Sequence, residues 1–449
     1  MPTGVRIPPG PQVHYVFRPP ADVAAGLLSL PWDLPLEEWE DDRLVDIRHR
    51  GTSRHVVRFV TDLGRLYALK EMHEVLARRE YRLLRRLGEL GIPAVEPLGI
   101  VVDRDTGNGD PLDAVLCTCF LEYSTTYRAL YSDPHRLRPT DRLLDSLVEL
   151  LVRLHLAGFF WGDCSLSNTL FRLDAGALQA IFVDAETSEL HASLTDGQRG
   201  FDVELAFERV GGELLDLAAA GLLPQDVEPV ELAQEIPRRY NRLWSALSED
   251  VIIRPEEQRY RIAERLRRLN DLGFDADEVE LVSAGDGYRL RIRTRVAEPG
   301  HHRLKLLALT GLDAQENQAR RLLNDIASFR GYLEKQAGRR VPMMVAASRW
   351  LHDVYDKVIE LMPPELATRL APAEVFHEVL EHRWFLSEQA GRDVGTTAAA
   401  RSYFHDVLPS VPEHLVSVSA EAVPRFGDDT GSWLMEGPAV TEPPREGQH

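Results

Sequence analysis

The spacing of apolar residues changes character along the chain, and each change predicts a different set of elements. Residues 1–36 are rich in proline and keep no period, so 1–42 reads as an irregular arm with one short helix near 21–29. "HVVRFV" (55–60) and "GRLYALKEM" (64–72) read as strands joined by a turn at Asp62-Leu63-Gly64. A helical period over 75–90 follows and is stopped by Gly91-Ile92-Pro93. "PLGIVVDRD" and "AVLCTCFLEY" predict two more strands, separated by the turn-rich "DTGNGDPL". Residues 43–123 therefore read as a small, mostly antiparallel sheet carrying one helix.

Residues 124–249 are mainly helical in pattern. Leu143, Leu144, Leu147, Leu151 and Leu154 stripe a helix over 141–158, and helices return at 202–220 and 229–247. Between them, short strands at about 168–173 and 180–184 flank the turn "LDAGAL". A third region, 250–410, reads as an α/β domain. It has a basic helix (256–270), the strands "EVELVSA" and "YRLRIRTRV", and a further strand beginning at "HHRLK" (301–305). Long helices follow over about 313–336, 343–361 and 373–390. The tail, 411–449, is rich in proline, glycine and acid and is expected to be disordered.

Composition sharpens this picture. A chain of 449 residues exceeds one compact core, and 44% hydrophobic with 27% charged residues is the balance of a globular protein. The net charge of −19 argues against non-specific nucleic-acid binding. Cys117, Cys119 and Cys164 form no disulfide framework, as expected of a reducing compartment; Cys117 and Cys119 share a strand face and read as core. The N-terminus lacks a signal-peptide pattern, and no stretch reaches the roughly 20 apolar residues needed to span a bilayer. A cytoplasmic protein with no membrane span is the expectation.

Polar residues then stand out where a core would not want them. Glu80 falls on the apolar face set by Leu76, Leu83, Leu84 and Leu87, where a carboxylate is costly unless paired. Lys70, near the end of the preceding strand, is the obvious partner, although the two residue types alone are equally at home as a surface pair. In "FFWGDCSLSNTLF" (159–171), Asp163 precedes Asn168 by five residues, and Asp184 ends "AIFV". The first spacing alone is weak, because Asp and Asn are common in turns. The order strand-Lys, helix-Glu, Asp-x₄-Asn, hairpin, Asp carries more information than any one member.

In that order the segments resemble the protein-kinase-like superfamily. The nearest branch is the small bacterial one that includes lipopolysaccharide core (Kdo and heptose) kinases and RIO-type kinases. "LHLAGFFWGDCSLSNTLF" is similar to their catalytic segment. "GTSRHVVRFV", "ALKEM", "FLEYS", "VDAETSE" and "FHEVLEHRWFLSEQAGRDVG" further resemble a bacterial family in which such a region precedes a domain of unknown function. The resemblance implies an α+β, bilobal fold: an N-lobe at 43–123, a C-lobe at 124–249, and the additional C-terminal α/β domain.

It also implies an ATP- and Mg²⁺-dependent phosphotransferase, with Mn²⁺ as the alternative metal. Lys70 would bind the α- and β-phosphates, Glu80 would hold Lys70, and Asp163 would orient the acceptor hydroxyl. Asn168 and Asp184 would ligate metal. Gly51, Thr52, Ser53 and Arg54 would cover phosphate, and Glu122 in "FLEYS" would stand at the adenine-contacting hinge. Arg48, Arg50 and Arg54 suit anions or a solvated strand equally well. Glu186 either adds a metal ligand or caps the next turn.

Departures from the family pattern are equally clear. Trp161 replaces a bracing histidine, Asp184-Ala185-Glu186 replaces Asp-Phe-Gly, and one glycine, Gly51, replaces three. The short stretch between Asp184 and the next helix, placed near Asp202, leaves little room for a regulated activation loop. The acceptor is expected to be a carbohydrate, glycolipid or protein hydroxyl, selected through the C-terminal domain. The rival readings are a pseudokinase scaffold whose C-terminal domain binds a protein partner, and an AMP transferase on the same fold. "HEVLEH" (377–382) superficially resembles a zinc-binding helix, but position 381 is Glu, so helix-surface i,i+4 pairing is the better reading.

Overall fold

A computed structural model describes residues 14–17, 26–47, 54–62, 64–106, 108–131, 139–224, 226–248, 251–253, 274–284, 287–296 and 301–411. Gly51, Thr52, Ser53, Arg48, Arg50, the basic helix at 256–270 and the tail lie outside them.

The N-terminal sheet has five antiparallel strands: β1 (His14–Phe17), β2 (Val57–Asp62), β3 (Arg65–Met72), β4 (Pro97–Val102) and β5 (Ala114–Cys119). Their order is β1-β4-β5-β3-β2. Helix α1 (Glu74–Glu89) packs on one face through Ala77, Tyr81, Leu84 and Leu87. Each large apolar side chain buried this way contributes about 1.5–3 kcal/mol.

The opposite face is covered by the segment read as an arm. Leu27, Leu30, Trp32, Leu36 and Trp39 pack on Tyr67, Leu69, Val115 and Cys117. Buried Arg104 fixes that segment, donating to the Trp32 carbonyl (3.0 Å) and to Glu71 (2.7 Å). The proline-rich stretch thus contributes a strand and half of a core. Tryptophans outside any regular period carried that information. Because strand side chains alternate, Tyr67 and Leu69 serve this core while Ala68 and Lys70 face the other way.

The second lobe is helical. A short strand β6 (Ser124–Thr125) leads into α2 (Tyr127–Tyr131) and α3 (Pro139–Leu156). A hairpin follows, β7 (Thr169–Asp174) and β8 (Ala177–Phe182), with Thr169 paired to Phe182 and Asp174 to Ala177. Helix α4 (Asp196–Ala219) starts earlier than the sequence reading placed it, because Thr195 and Gln198 form a capping box at its N-terminus. Helices α5 (Pro229–Ala233) and α6 (Glu235–Ser248) complete the lobe. One hydrophobic core runs from α1 through α3, the hairpin and α4 to Leu247.

The C-terminal region opens with three antiparallel strands, β9 (Val251–Ile253), β10 (Phe274–Ala284) and β11 (Gly287–Val296), in the order β9-β11-β10. The residues after it are helical: α7 (His301–Thr310), α8 (Glu316–Ala337), α9 (Met343–Trp350), α10 (Asp356–Ile359), α11 (Pro372–Ala390) and α12 (Thr396–Ser402). A π-helical turn at Leu351–Tyr355 joins α9 to α10. The strand expected at His301–Lys305 is instead the start of α7: His302 N–H donates to Glu316 (3.0 Å), tying the helix start to the first turn of α8.

The hairpin tip meets helices α8 and α11 of this region. Asp174 accepts the backbone N–H groups of Asn317 (3.2 Å) and Gln318 (2.8 Å), at the N-terminus of α8. In return Glu374 of α11 accepts those of Ala175 and Gly176, both at 2.7 Å. The Gln318 side chain donates to Glu374 (2.7 Å), closing the network. Both carboxylates are buried. Nearby, His377 and Glu381 pair at 3.1 Å, with Arg321 2.9 Å from the ring. The pair has the i,i+4 spacing read from the sequence, but His377 is buried rather than on the helix surface.

Candidate active site

Between the sheet and the helical lobe lies a cleft of about 1170 Å³. Val57, Ala68, Leu116 and Thr118 line it from the sheet, and Leu170 and Val183 from the hairpin side. Cys119, Phe120, Leu121 and Ser124 form its edge where the two lobes join. Glu122 is exposed and does not line the cleft, whereas its neighbours Phe120 and Leu121 do. Tyr123, the next residue, has φ 56°.

Three of the expected residues meet at the centre. Lys70 Nζ lies 3.1 Å from Glu80 Oε2 and 3.0 Å from Asp184 Oδ2. Glu80 is almost fully buried. Burial opposes the charge on Lys70, yet Glu80 and Asp184 together outweigh it and hold the ammonium above its ordinary range. Burial, followed by the charge of Asp184, pushes Glu80 upward against the pull of Lys70. Two carboxylates thus compete for one ammonium, and Asp184 is the more exposed of them. A divalent cation beside Asp184 would relieve this surplus of negative charge, so the donor set fits the expected metal.

Asp163 and Asn168 complete the arrangement. Asn168 Nδ2 donates to the Asp163 carbonyl and to its Oδ2, both at 3.1 Å. Arg209 Nε is 3.2 Å from Asp163 Oδ1. Arg54 also lines the cleft. Glu186 stands just after Asp184, where its backbone N–H donates to Asp184 Oδ1 (3.0 Å). Its carboxylate sits 3.1 Å from His55 Nε2 and 3.9 Å from Arg54, and it does not line the cleft. It ties the loop after Asp184 to the start of β2, a contact that no local pattern announces.

The loop bearing Asp163 and Asn168 is held by one helix. Asp202 of α4 accepts N–H groups from Trp161 (2.7 Å) and Gly162 (2.9 Å) and lies 3.0 Å from His155 Nε2. The other His155 nitrogen is 2.7 Å from the Tyr240 hydroxyl. Three turns along α4, Glu213 accepts from Leu166 (2.7 Å) and Ser167 (2.8 Å). Burial raises Glu213 despite these donors. Trp161 is fully buried against Phe182, ring centroids 5.0 Å apart, and so fills the bracing position by packing. Gly162 has φ 78°, and a Cβ there would come within 2.8 Å of the Thr187 carbonyl, so the turn before Asp163 requires glycine.

Asp202, Arg209 and Glu213 were not singled out in the sequence. The sign was present: offsets of seven and eleven residues put all three on one stripe of a helix.

Family models match two parts of the chain. Residues 43–202 match the Lipopolysaccharide kinase (Kdo/WaaP) family. Residues 242–408 match a Domain of unknown function, DUF4032. No curated protein matches. Among solved structures, the chain is similar to "WaaP in complex with acyl carrier protein", at 18% identity over 50% of this chain and 89% of that one, with a TM-score of 0.32. The stretch matched to the kinase family, 43–202, spans the sheet lobe and the helical lobe as far as the first turns of α4.

Proposed function

We propose that the chain transfers the γ-phosphoryl group of ATP to an alcohol hydroxyl, with Mg²⁺ or Mn²⁺ held by Asn168 and Asp184. The observation that carries this reading is the position of Lys70 between Glu80 and Asp184, in the same cleft as Asp163 and Asn168. The apolar slot between Ala68 and Leu170 suits an adenine ring, and Lys70 then stands beside the phosphates. Bound metal would neutralise charge on the phosphate oxygens. Asp163 accepts the proton of the acceptor hydroxyl, and Glu80 keeps Lys70 extended toward the nucleotide.

The match to a lipopolysaccharide kinase family supports a sugar-bearing acceptor. Among the described residues, none of those lining the cleft comes from 301–411. They back the hairpin whose ends carry Asn168 and Asp184.

Thermal shift with ATP, with and without Mg²⁺, tests nucleotide binding; at a hundred times Kd the stabilisation is about 2.7 kcal/mol. Retention of label from γ-labelled but not α-labelled ATP identifies phosphoryl rather than AMP transfer. Asp163→Asn is expected to abolish transfer while keeping nucleotide affinity. No shift under either condition would leave the scaffold reading standing.

A further inference from the structure

The cleft holds a cation that no part of this scheme has used. Its other basic residues, Arg54, His55, Arg58 and Lys70, come from the N-terminal sheet and its edge. Arg58 is engaged with the Leu36 and Glu37 carbonyls, at 3.1 and 2.8 Å, and Lys70 with its two carboxylates. Among the described lining residues, Arg209 is the one lysine or arginine supplied by the helical lobe. The residues between Asp163 and Asn168 are Cys164, Ser165, Leu166 and Ser167, so the loop itself offers no positive charge on the acceptor side.

Arg209 is also well placed. Asp202 and Glu213 pin the loop to α4 on either side of it, so α4 holds the base of Arg209 in fixed register with Asp163. Its side chain is 61% exposed and reaches Asp163 at 3.2 Å from the open cleft, which leaves it free to change partners.

We propose that Arg209 is a catalytic residue that meets the transferring phosphoryl group on its acceptor side, an inference that rests on the phosphotransfer reading above. In transfer, a bond forms from the acceptor oxygen to the γ-phosphorus. The bond from that phosphorus to the β–γ bridging oxygen breaks, and its electron pair leaves with ADP. The hydroxyl proton passes to the Asp163 carboxylate, while Arg209 stays a guanidinium throughout. As Asp163 takes the proton it loses the charge that held Arg209, just as negative charge is spread over the phosphoryl oxygens. The guanidinium then has a better partner within reach, and its planar donors suit those oxygens.

The test uses the full chain, Mg·ADP, and Mg·ADP with aluminium fluoride as a mimic of the transferring group. Wild type, Arg209→Ala and Arg209→Lys are expected to show the same Mg·ADP thermal shift. Fluoride should add a further shift in wild type, absent in Arg209→Ala and mostly lost in Arg209→Lys. The affinity lost for the fluoride complex should be about 10²-fold or more. A fluoride increment that survives in Arg209→Ala overturns the proposal, as does a wild type that binds Mg·ADP and gains nothing from fluoride. A wild type that does not bind Mg·ADP instead overturns the phosphotransfer reading itself. Equal Mg·ADP shifts in all three proteins separate a contact to the phosphoryl group from a merely structural role.

Discussion

Lys70 and Asp184 stand 114 residues apart in the chain and meet at 3.0 Å across the cleft. The contact joins the sheet lobe to the end of the hairpin, and Glu80 meets the same ammonium from α1. Replacing Lys70 by Met leaves the buried Glu80 without its cation. The expected cost is about 3 kcal/mol by chemical denaturation, with loss of the ATP-dependent thermal shift. A Lys70→Met protein as stable as wild type, or one that still responds to ATP, would contradict the pairing described.

Asp202 is wholly buried and satisfies two backbone N–H groups together with His155. Asp202→Ala strands those donors, and each buried orphan costs about 1–3 kcal/mol. A fall of roughly 3 kcal/mol or more is expected, with faster amide exchange over 159–163. Asp202→Asn should lose less, since an amide oxygen still accepts. Equal losses in the two variants would show that packing, rather than hydrogen bonding, holds the loop.

Stability should depend on pH through the hairpin tip. Burial pushes the Asp174 carboxyl up to about 6, against the pull of the Gln318 and Asn317 N–H groups. An unfolded aspartate titrates near 3.9, so between those values the folded chain holds a proton the unfolded chain has released. Stability from this group therefore falls as pH rises through that window. Asn cannot titrate, so the melting temperature of Asp174→Asn relative to wild type should rise between about pH 4.5 and about pH 7. A difference that is flat, or slopes the other way, contradicts the assignment.

Glu374 makes a more local prediction. It accepts two hairpin N–H groups and the Gln318 amide. Glu374→Ala should open the contact between α11 and the hairpin, seen as increased amide exchange at 173–178 and 315–319. Glu374→Gln should retain much of the protection. Unchanged exchange in Glu374→Ala would mean that the apolar contacts around Leu173 suffice.

The elements were legible in the sequence wherever a regular period or a punctuating residue announced them. Strand Arg65–Met72, helix Glu74–Glu89 and the first hairpin strand, Thr169–Asp174, fall within a residue of their expected bounds, while the second hairpin strand starts three residues early, at Ala177. The Lys70–Glu80 pair was legible because a carboxylate on an apolar helix face demands a partner. Three things were not. The packing of Trp32 and Trp39 under the sheet needs a surface that exists only after folding. The contact of Glu186 with His55 joins residues too far apart for any local pattern. Buried Asp174 and Glu374 look, in sequence, like ordinary turn and helix-surface residues; only docking makes Asp174 the acceptor for the Asn317 and Gln318 N–H groups and Glu374 the acceptor for those of Ala175 and Gly176.

The central claim is that Lys70, Glu80, Asp163, Asn168 and Asp184 surround one nucleotide triphosphate and its metal. A crystal structure with Mg²⁺ and a non-hydrolysable ATP analogue tests it most directly. The expected map shows a cation contacting Asn168 Oδ1 and the Asp184 carboxylate, with Lys70 Nζ on the α- and β-phosphates. A nucleotide bound elsewhere, or one in the cleft with its phosphates away from Lys70 and no cation at Asp184, would contradict it.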